Sequence, residues 1–185
     1  MCGLVGIFDP EGRPPRERLE PALKELLLDI RHRGPDGEGV VYEDGLALGH
    51  RRLAILDVSE TGVQPMTSHD GRYVLAYNGE IYNHLDLRTS LPGGWRGTSD
   101  TETLLESFSV SGLDALSGFC GMFAIALYDR QERELHLIRD RFGIKPLFYS
   151  KRPEGGFVFG SEARAVGRAA RAQVRLDMLP DYLSW

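Results

Sequence analysis

The chain has 185 residues, enough for one domain with a substantial core, and its net charge is -5. This acidic balance argues against general nucleic-acid binding, which needs a basic surface. The 42% hydrophobic content is typical of globular proteins, and the longest apolar stretch, residues 122–128, is far too short to span a membrane. Residues 3–8 lack the basic flank and the length of a signal peptide, so we expect a cytoplasmic protein with neither a nucleic-acid nor a membrane partner.

Hydrophobic periodicity predicts a buried strand over residues 3–8. Pro14 and Pro15 then open a helix, because proline is favoured in the first helical turn. This helix should end near Arg33, where the following Gly-Pro pair stops it. The next predicted elements are strands at 38–43, 46–56 and 72–77 and short helices at 84–90 and 101–109.

The segment 121–129 is apolar at both odd and even positions, which indicates a strand covered on both faces. It forms a predicted hairpin with 133–139, and a second hairpin is predicted from 147–150 and 156–160. Doubly buried strands, many hairpins and few long helices together favour an α+β layered sandwich, with two stacked antiparallel sheets and helices outside.

Within residues 171–185, Leu176, Leu179, Tyr182 and Leu183 recur at helical spacing, interrupted by Pro180, and the pattern stops at Trp185. We expect the start of a linker or helix that leads to a further domain, so that the folded domain covers residues 2–170. A short docked tail is the alternative, because termini are often poorly ordered unless they are tied down.

Cys2 follows the initiator methionine, and removal of Met1 would give it a free α-amine beside its thiol. That pairing puts a nucleophile and a base on one residue, although a small buried hydrophobe is the alternative reading. The second cysteine, Cys120, lies in an apolar context that predicts core packing. Two cysteines indicate no disulfide framework, and the five histidines have no zinc-ligand spacing, so no metal site is expected.

Four polar clusters follow apolar segments: residues 31–37, 49–55, 77–83 and 98–102. Each has a structural explanation of its own. Asn78-Gly79 is a strong hairpin-turn signal, Ser99 with Glu102 fits a helix capping box, and Arg52 could form a surface salt bridge.

Taken together, the same clusters describe a chemical site. A thiolate that attacks an amide needs donors aimed at the developing oxyanion, and an Asn amide with a neighbouring Gly N–H can provide two. An Arg can hold a carboxylate, and an Asp can hold an ammonium. These two clamps describe an α-amino acid, and an amide as the reacting group indicates glutamine or asparagine.

The chain resembles the class II glutamine amidotransferase domains of the N-terminal-nucleophile hydrolase superfamily, and more narrowly the glutaminase domain of glutamine-hydrolysing asparagine synthetases. The resemblance spans nearly the whole chain, in order. It rests on Met-Cys-Gly-Leu-Val-Gly-Ile-Phe (1–8), Arg-His-Arg-Gly-Pro-Asp-Gly (31–37), Gly-His-Arg-Arg-Leu-Ala-Ile (49–55), Asn-Gly-Glu-Ile-Tyr-Asn (78–83), Ser-Asp-Thr-Glu (99–102), Gly-Met-Phe-Ala-Ile-Ala-Leu-Tyr-Asp (121–129), Arg-Asp-Arg-Phe-Gly-Ile-Lys-Pro-Leu-Phe-Tyr (139–149) and Ser-Glu-Ala-Arg-Ala (161–165).

The resemblance implies a four-layer α/β/β/α sandwich of the N-terminal-nucleophile hydrolase type. It implies that Cys2 attacks the side-chain amide of L-glutamine, with its own α-amine as base, to give a thioester and ammonia. Asn78 and Gly79 would form the oxyanion hole. Arg52 would hold the α-carboxylate, and Asp100 the α-ammonium, with Glu80 beside it.

Relatives of this kind pass the ammonia to a C-terminal synthetase domain, whose Ser-Gly-Gly-x-Asp-Ser phosphate loop does not occur in this sequence. The resemblance therefore implies no cofactor for the glutaminase step, and ATP and magnesium only for a separate synthetase domain or subunit. It leaves a homodimer open. The alternatives are ammonia supply to another acceptor, in cell-surface sugar or secondary-metabolite amidation, or a non-catalytic docking module.

Overall fold

The computed structural model describes residues 2–53 and 60–173. The strands in these residues are β1 (Gly3–Phe8), β2 (Gly37–Glu43), β3 (Leu46–Arg52), β4 (Met66–Thr67), β5 (Tyr73–Ile81), β6 (Gly121–Asp129), β7 (Glu134–Arg139), β8 (Phe148–Lys151) and β9 (Phe157–Gly160). The α-helices are α1 (Arg16–Asp29), α2 (His84–Arg88), α3 (Asp100–Ser111) and α4 (Ala163–Ala169). Three short 3₁₀ helices occupy Arg31–Arg33, Glu60–Gly62 and Gly112–Gly118.

The described strands form two sheets, in the orders β2-β3-β1-β9-β8 and β4-β5-β6-β7, and neighbouring strands in both are antiparallel. Two of these strand pairs, β1 with β3 and β5 with β6, carry residues of the site, and the pairing is continuous in both. Gly3 pairs with Arg51 between β1 and β3, and Gly79 pairs with Phe123 between β5 and β6.

Three apolar clusters divide the molecule into four layers. Helices α1 and α4 cover the outer face of the first sheet, where Val5 and Leu27 are buried. Helix α3 covers the outer face of the second sheet, and Phe108 belongs to that cluster. Alternate residues of both sheets, including Leu48 and Ala76, fill the layer between them. This α/β/β/α arrangement confirms the expected α+β sandwich, since a strand with both faces buried needs a layer on each side.

One structural alternative and one local expectation were wrong. Asn78 and Gly79 do not form a hairpin turn, because β5 continues to Ile81 and pairs with β6 throughout. Cys120 is exposed rather than packed in the core, because it lies just before β6 begins.

The helix expected from Pro14 to near Arg33 is divided. Pro15 is the residue that caps α1, which ends at Asp29, and the 3₁₀ helix Arg31–Arg33 follows it. Residues 54–56 of the expected third strand and residues 174–185 of the expected linker lie outside the described residues. In the part of the chain that the structure describes, no helix has the length and apolar character needed to cross a membrane.

Candidate active site

The strand alternation brings several polar side chains to one end of the layer between the sheets. Leu46 and Leu48 face this layer, so His50 and Arg52, at the same parity on β3, face it as well. On β5, Val74 and Ala76 face the layer, which puts Asn78 on the same side. Cys2 precedes Gly3 on β1 and shares the parity of the buried Leu4.

A cavity of about 130 Å³ opens at this end of the molecule. Five of the six predicted site residues line it: Cys2, Arg52, Gly79, Glu80 and Asp100. Asn78, the sixth, is 2% exposed, and its Nδ2 has no hydrogen-bond partner among the described residues. A buried amide donor without a partner is unusual in a folded protein and points to a ligand that would complete it.

The Cys2 sulfur lies against the main chain that follows β3. The Leu53 N–H donates to Cys2 Sγ at 3.3 Å, and Cys2 Sγ lies 3.5 Å from the Leu53 carbonyl oxygen. On the other side, Arg33 Nε donates to the Cys2 carbonyl at 3.0 Å, and Arg33 also pairs with Glu162 at 3.3 Å. These contacts hold Cys2 in place at the wall of the cavity.

The edge of β5 that faces away from β6 borders the cavity. Strand β4 pairs with Leu75 and Val74, and side chains take over beyond that point. The Tyr77 N–H donates to Gln64 Oε1 at 2.6 Å, and the Ile81 N–H donates to Asp100 Oδ2 at 3.0 Å. Because N–H groups alternate between the two edges of a strand, the Gly79 N–H lies on this same edge, between the other two.

Gly79 also needs to be a glycine. A Cβ at this position would lie 2.2 Å from the Met122 carbonyl oxygen and 2.8 Å from Phe123 Cα. A side chain at this position would force the backbone of β6 to shift, because β6 approaches β5 closely here. Gly79 itself lines the cavity.

Asp100 is the first residue of α3 and is 5% exposed. Its Oδ2 accepts hydrogen bonds from the Tyr77 hydroxyl at 2.8 Å and from the Ile81 N–H. Burial and, next, the neighbouring Asp100 charge hold the pKa of Tyr77 far above its ordinary value, so the hydroxyl stays protonated and donates. Neither of these two hydrogen bonds involves Asp100 Oδ1, and Asp100 lines the cavity.

His50 contributes to the same wall and is 1% exposed. Its Nε2 lies 3.1 Å from the Tyr77 carbonyl oxygen, which can only accept, so Nε2 carries the proton and donates. Burial, more than the nearby Arg52 charge, lowers the pKa of His50 to about 4. The ring is therefore neutral near pH 7.

The wall includes residues that the sequence patterns did not assign to the site: His50, Leu53, Gly62, Gln64, Tyr77, Ser99 and Thr101. The alternation of Leu46, Leu48 and His50 could have indicated His50 as a site residue, since it puts a polar side chain on a buried face of the strand. Gln64 had no such signal, because it precedes the two-residue strand β4.

The predicted capping box is half formed. Ser99 Oγ accepts from the Glu102 N–H at 3.4 Å, as expected of the residue that caps α3. The Glu102 carboxylate does not complete the box at Ser99. It accepts instead from the N–H groups of Arg96 and Gly97, at 2.8 and 3.0 Å, and so ties the loop before α3 to the helix.

Within residues 2–53 and 60–173, no group of three or more His, Cys, Asp or Glu side chains is arranged to hold a metal ion. The cavity wall offers a thiol, an edge N–H, a guanidinium and a carboxylate, and the Asn78 amide donor next to Gly79 has no partner among the described residues.

Comparisons with known proteins show the family to which the chain belongs. The family model described as "Glutamine amidotransferase domain" matches residues 1–185. Asparagine synthetase [glutamine-hydrolyzing] 1 of Bacillus subtilis is 35% identical over 190 residues, which cover 100% of this chain and 30% of the relative. Asparagine synthetase B [glutamine-hydrolyzing] of Escherichia coli is 38% identical over 169 residues, which cover 90% of this chain and 30% of the relative.

A yeast relative extends the comparison to eukaryotes. Asparagine synthetase [glutamine-hydrolyzing] 1 of Saccharomyces cerevisiae is 40% identical over 152 residues, which cover 82% of this chain and 26% of the relative. The chain thus spans about 30% of the length of the curated relatives that it matches. The match of the family model over the whole chain is decisive, and the chain belongs to the glutamine amidotransferase domain family.

Proposed function

We propose that this domain hydrolyses the side-chain amide of L-glutamine to glutamate and ammonia, with Cys2 as the nucleophile. The observation that carries the proposal is the shared wall of the cavity, in which Cys2, Gly79, Arg52 and Asp100 meet. The residues that line it come from both sheets and from α3, so the fold brings together residues that are distant in the sequence.

The proposed reaction begins with transfer of the Cys2 thiol proton to the Cys2 α-amine. An α-amine has a reference pKa of about 7.7–8.0, which suits proton transfer near neutral pH. The sulfur then attacks the amide carbon of glutamine, and the amine returns its proton to the departing nitrogen, which leaves as ammonia. Water hydrolyses the remaining thioester to glutamate. While Met1 is attached, the Cys2 nitrogen is an amide and cannot act as the base.

The oxyanion of the tetrahedral intermediate would accept hydrogen bonds from Asn78 Nδ2 and from the Gly79 N–H. The buried Nδ2 without a partner among the described residues supports this role, as does the position of Gly79 on the open edge of β5. The loss of one such donor costs about 2.7–4 kcal/mol of transition-state stabilisation in other acyl-transfer enzymes.

Substrate recognition would fall to the two charged residues of the wall. Arg52 presents a guanidinium, which can hold the α-carboxylate by two parallel hydrogen bonds. Asp100 presents a carboxylate, which can hold the α-ammonium while Tyr77 and Ile81 fix its other oxygen. Glu80 adds negative charge beside it.

The relatives' names suggest where the ammonia goes. We propose that it serves the synthesis of asparagine from aspartate, in a synthetase domain or subunit that uses ATP and magnesium. This domain itself would need no cofactor for the glutaminase step. We further propose that residues 2–170 form the functional unit, that residues after 170 lead toward the synthetase part, and that the protein works in the cytoplasm, where a homodimer would be compatible with the role.

The test is glutamate release from L-glutamine by the chain with Met1 removed, as verified by mass spectrometry. We expect release by the wild type, and a loss of more than about 1000-fold in Cys2→Ala, because the nucleophile is gone. A chloroketone analogue of glutamine should label Cys2. The matched control is Cys120→Ala, which removes the exposed cysteine and should retain activity. Equal release by wild type and Cys2→Ala would contradict the assignment, and absence of both release and labelling would favour a non-catalytic docking module.

A further inference from the structure

His50 joins the two sheets at the point where the proposed reaction takes place. The residue lies on β3, in the sheet that also carries Cys2 and Arg52. Its Nε2 donates across the layer to the Tyr77 carbonyl on β5, in the other sheet. Tyr77 is bonded to Asn78, so the hydrogen bond holds the peptide that leads directly into the two proposed oxyanion donors.

The spacing between the sheets matters because the nucleophile and the oxyanion donors belong to different sheets. Cys2 adjoins β1 in the first sheet, whereas Asn78 and Gly79 lie on β5 in the second. A displacement of about 1 Å in a reacting group can cost about 100-fold in rate. Apolar packing between the sheets is non-directional, whereas a hydrogen bond is directional and favours one position of β5 relative to β3.

Gln64 holds the same stretch of β5 from the side. Its Oε1 accepts from the Tyr77 N–H at 2.6 Å, and its Nε2 donates to Thr101 Oγ1 at 3.1 Å. Thr101 follows Asp100 in α3, so Gln64 couples the edge of β5 to the helix that carries the proposed ammonium clamp. Gln64 is 6% exposed, so its side chain is packed among its neighbours.

His50 and Gln64 therefore satisfy both polar groups of the Tyr77 backbone at an edge that β4 no longer covers. The carbonyl accepts a hydrogen bond from the His50 Nε2–H, and the N–H donates a hydrogen bond to the Gln64 carboxamide oxygen. The Gly79 N–H is the next N–H on this edge, two residues further along. Its direction follows from how the edge is held at Tyr77 and, beyond it, at Ile81 by Asp100.

We propose that His50 and Gln64 are positioning residues that hold the open edge of β5 against the first sheet and aim the Asn78 and Gly79 donors at the carbonyl attacked by Cys2. This role rests on the proposed glutaminase function and deepens it. Neither residue needs to contact glutamine for the role. Both act on the rate of amide attack, and neither acts on the intrinsic reactivity of the thiol.

The principal test compares His50→Leu, which removes the donor at similar volume, with His50→Gln, whose amide can still donate to the Tyr77 carbonyl. We expect His50→Leu to lower kcat for glutamine by about 100-fold, with KM within about threefold of the wild type. The rate of Cys2 alkylation by iodoacetamide should stay within about twofold, since alkylation forms no oxyanion. His50→Gln should recover kcat to within about tenfold of the wild type.

Two further variants keep the test informative if His50→Leu folds poorly. Gln64→Glu retains an acceptor for the Tyr77 N–H and loses the donor to Thr101, whereas Gln64→Met loses both contacts. We expect the larger fall in kcat from Gln64→Met. His136→Leu, on β7 and away from the cavity, is the matched control and should leave kcat unchanged.

Several outcomes would overturn the proposal. An active wild type with an unchanged kcat in His50→Leu and Gln64→Met would contradict it while leaving the proposed function intact. A parallel fall in kcat and in Cys2 alkylation would show that these residues act on the thiol or on folding in general. A wild type that releases no glutamate would contradict the proposed function itself, and this proposal with it.

Discussion

At the scale of single residues, Arg52 and its neighbour Arg51 show how one position along a strand separates two roles. Arg52 lines the cavity between the sheets. Arg51 lies on the opposite face of β3, where its Nε donates to the Leu27 carbonyl at 3.1 Å and its guanidinium pairs with Glu38. Variants of Arg52 and Arg51 can therefore be compared directly, because the two arginines lie on the same strand and differ in the face of the sheet to which they belong.

We predict that Arg52→Lys raises the KM for glutamine about 10- to 100-fold, because an ammonium cannot reproduce a bidentate contact worth roughly 1.5–3 kcal/mol. Steady-state kinetics of glutamate release measure this. Arg51→Lys is the matched control and should leave KM unchanged. An equal rise in KM for both variants would remove Arg52 from the proposed carboxylate clamp.

At the scale of the elements, β5 is the strand that carries the site. Asn78 and Gly79 read as a hairpin turn in isolation, yet both continue the pairing with β6, opposite Ala124 and Phe123. The pairing of the whole strand outweighs the local turn preference here, because β6 is buried on both faces and pairs with β5 along its full length. The polar pair thereby arrives at the end of the layer between the sheets.

We predict that Gly79→Ala lowers the free energy of unfolding by about 1–3 kcal/mol, since its Cβ would press on the backbone of β6. Urea unfolding at constant m-value measures the change. Gly93→Ala is the control, because a Cβ there meets no atom within 4 Å and the residue needs no left-handed conformation. If Gly79→Ala matched Gly93→Ala in stability, the close approach of β6 would not constrain this position.

At the scale of the whole molecule, buried titratable groups make stability depend on pH. Burial lowers the pKa of His50 to about 4, against 6.5 for an ordinary histidine. The unfolded chain therefore binds a proton at this residue between pH 6.5 and 4 that the folded chain does not bind. Stability from the neutral ring is complete above pH 6.5 and is lost as the pH falls toward 4.

Several carboxyl groups extend the loss to lower pH. Burial acts to raise the pKa of Asp140, but the backbone N–H groups of Lys145, Ile144, Phe123 and Phe142 outweigh it and hold the pKa below its ordinary value. The pKa of Asp129 is lowered in the same way, where Arg72 and two backbone N–H groups outweigh burial. These carboxylates stabilise the fold above their ordinary pKa of 3.8, and that stabilisation is lost below it.

We predict that the free energy of unfolding falls by roughly 3 kcal/mol between pH 7 and pH 4, because the pKa of His50 is 6.5 in the unfolded chain and about 4 in the folded chain. Urea titrations at pH 7, 5.5 and 4.2 measure this. The free energy of unfolding of His50→Gln should change less over this range, since the variant has no imidazole to protonate. Below pH 4 it should fall with pH as steeply as that of the wild type. Parallel curves for both proteins throughout would contradict a neutral buried His50.

The amino-acid sequence by itself determined the element types, the doubly buried strands, the layered α+β class and the set of polar motifs around Cys2. It could do so because period-2 alternation and residue chemistry are local properties. Only the tertiary structure decided which faces meet. The His50 hydrogen bond to Tyr77, the Leu53 N–H at the Cys2 sulfur and the Gln64 link to α3 all join distant parts of the chain. Alternation puts each side chain on a face, but the pairing of that face with another depends on how the sheets stack, which no local pattern encodes.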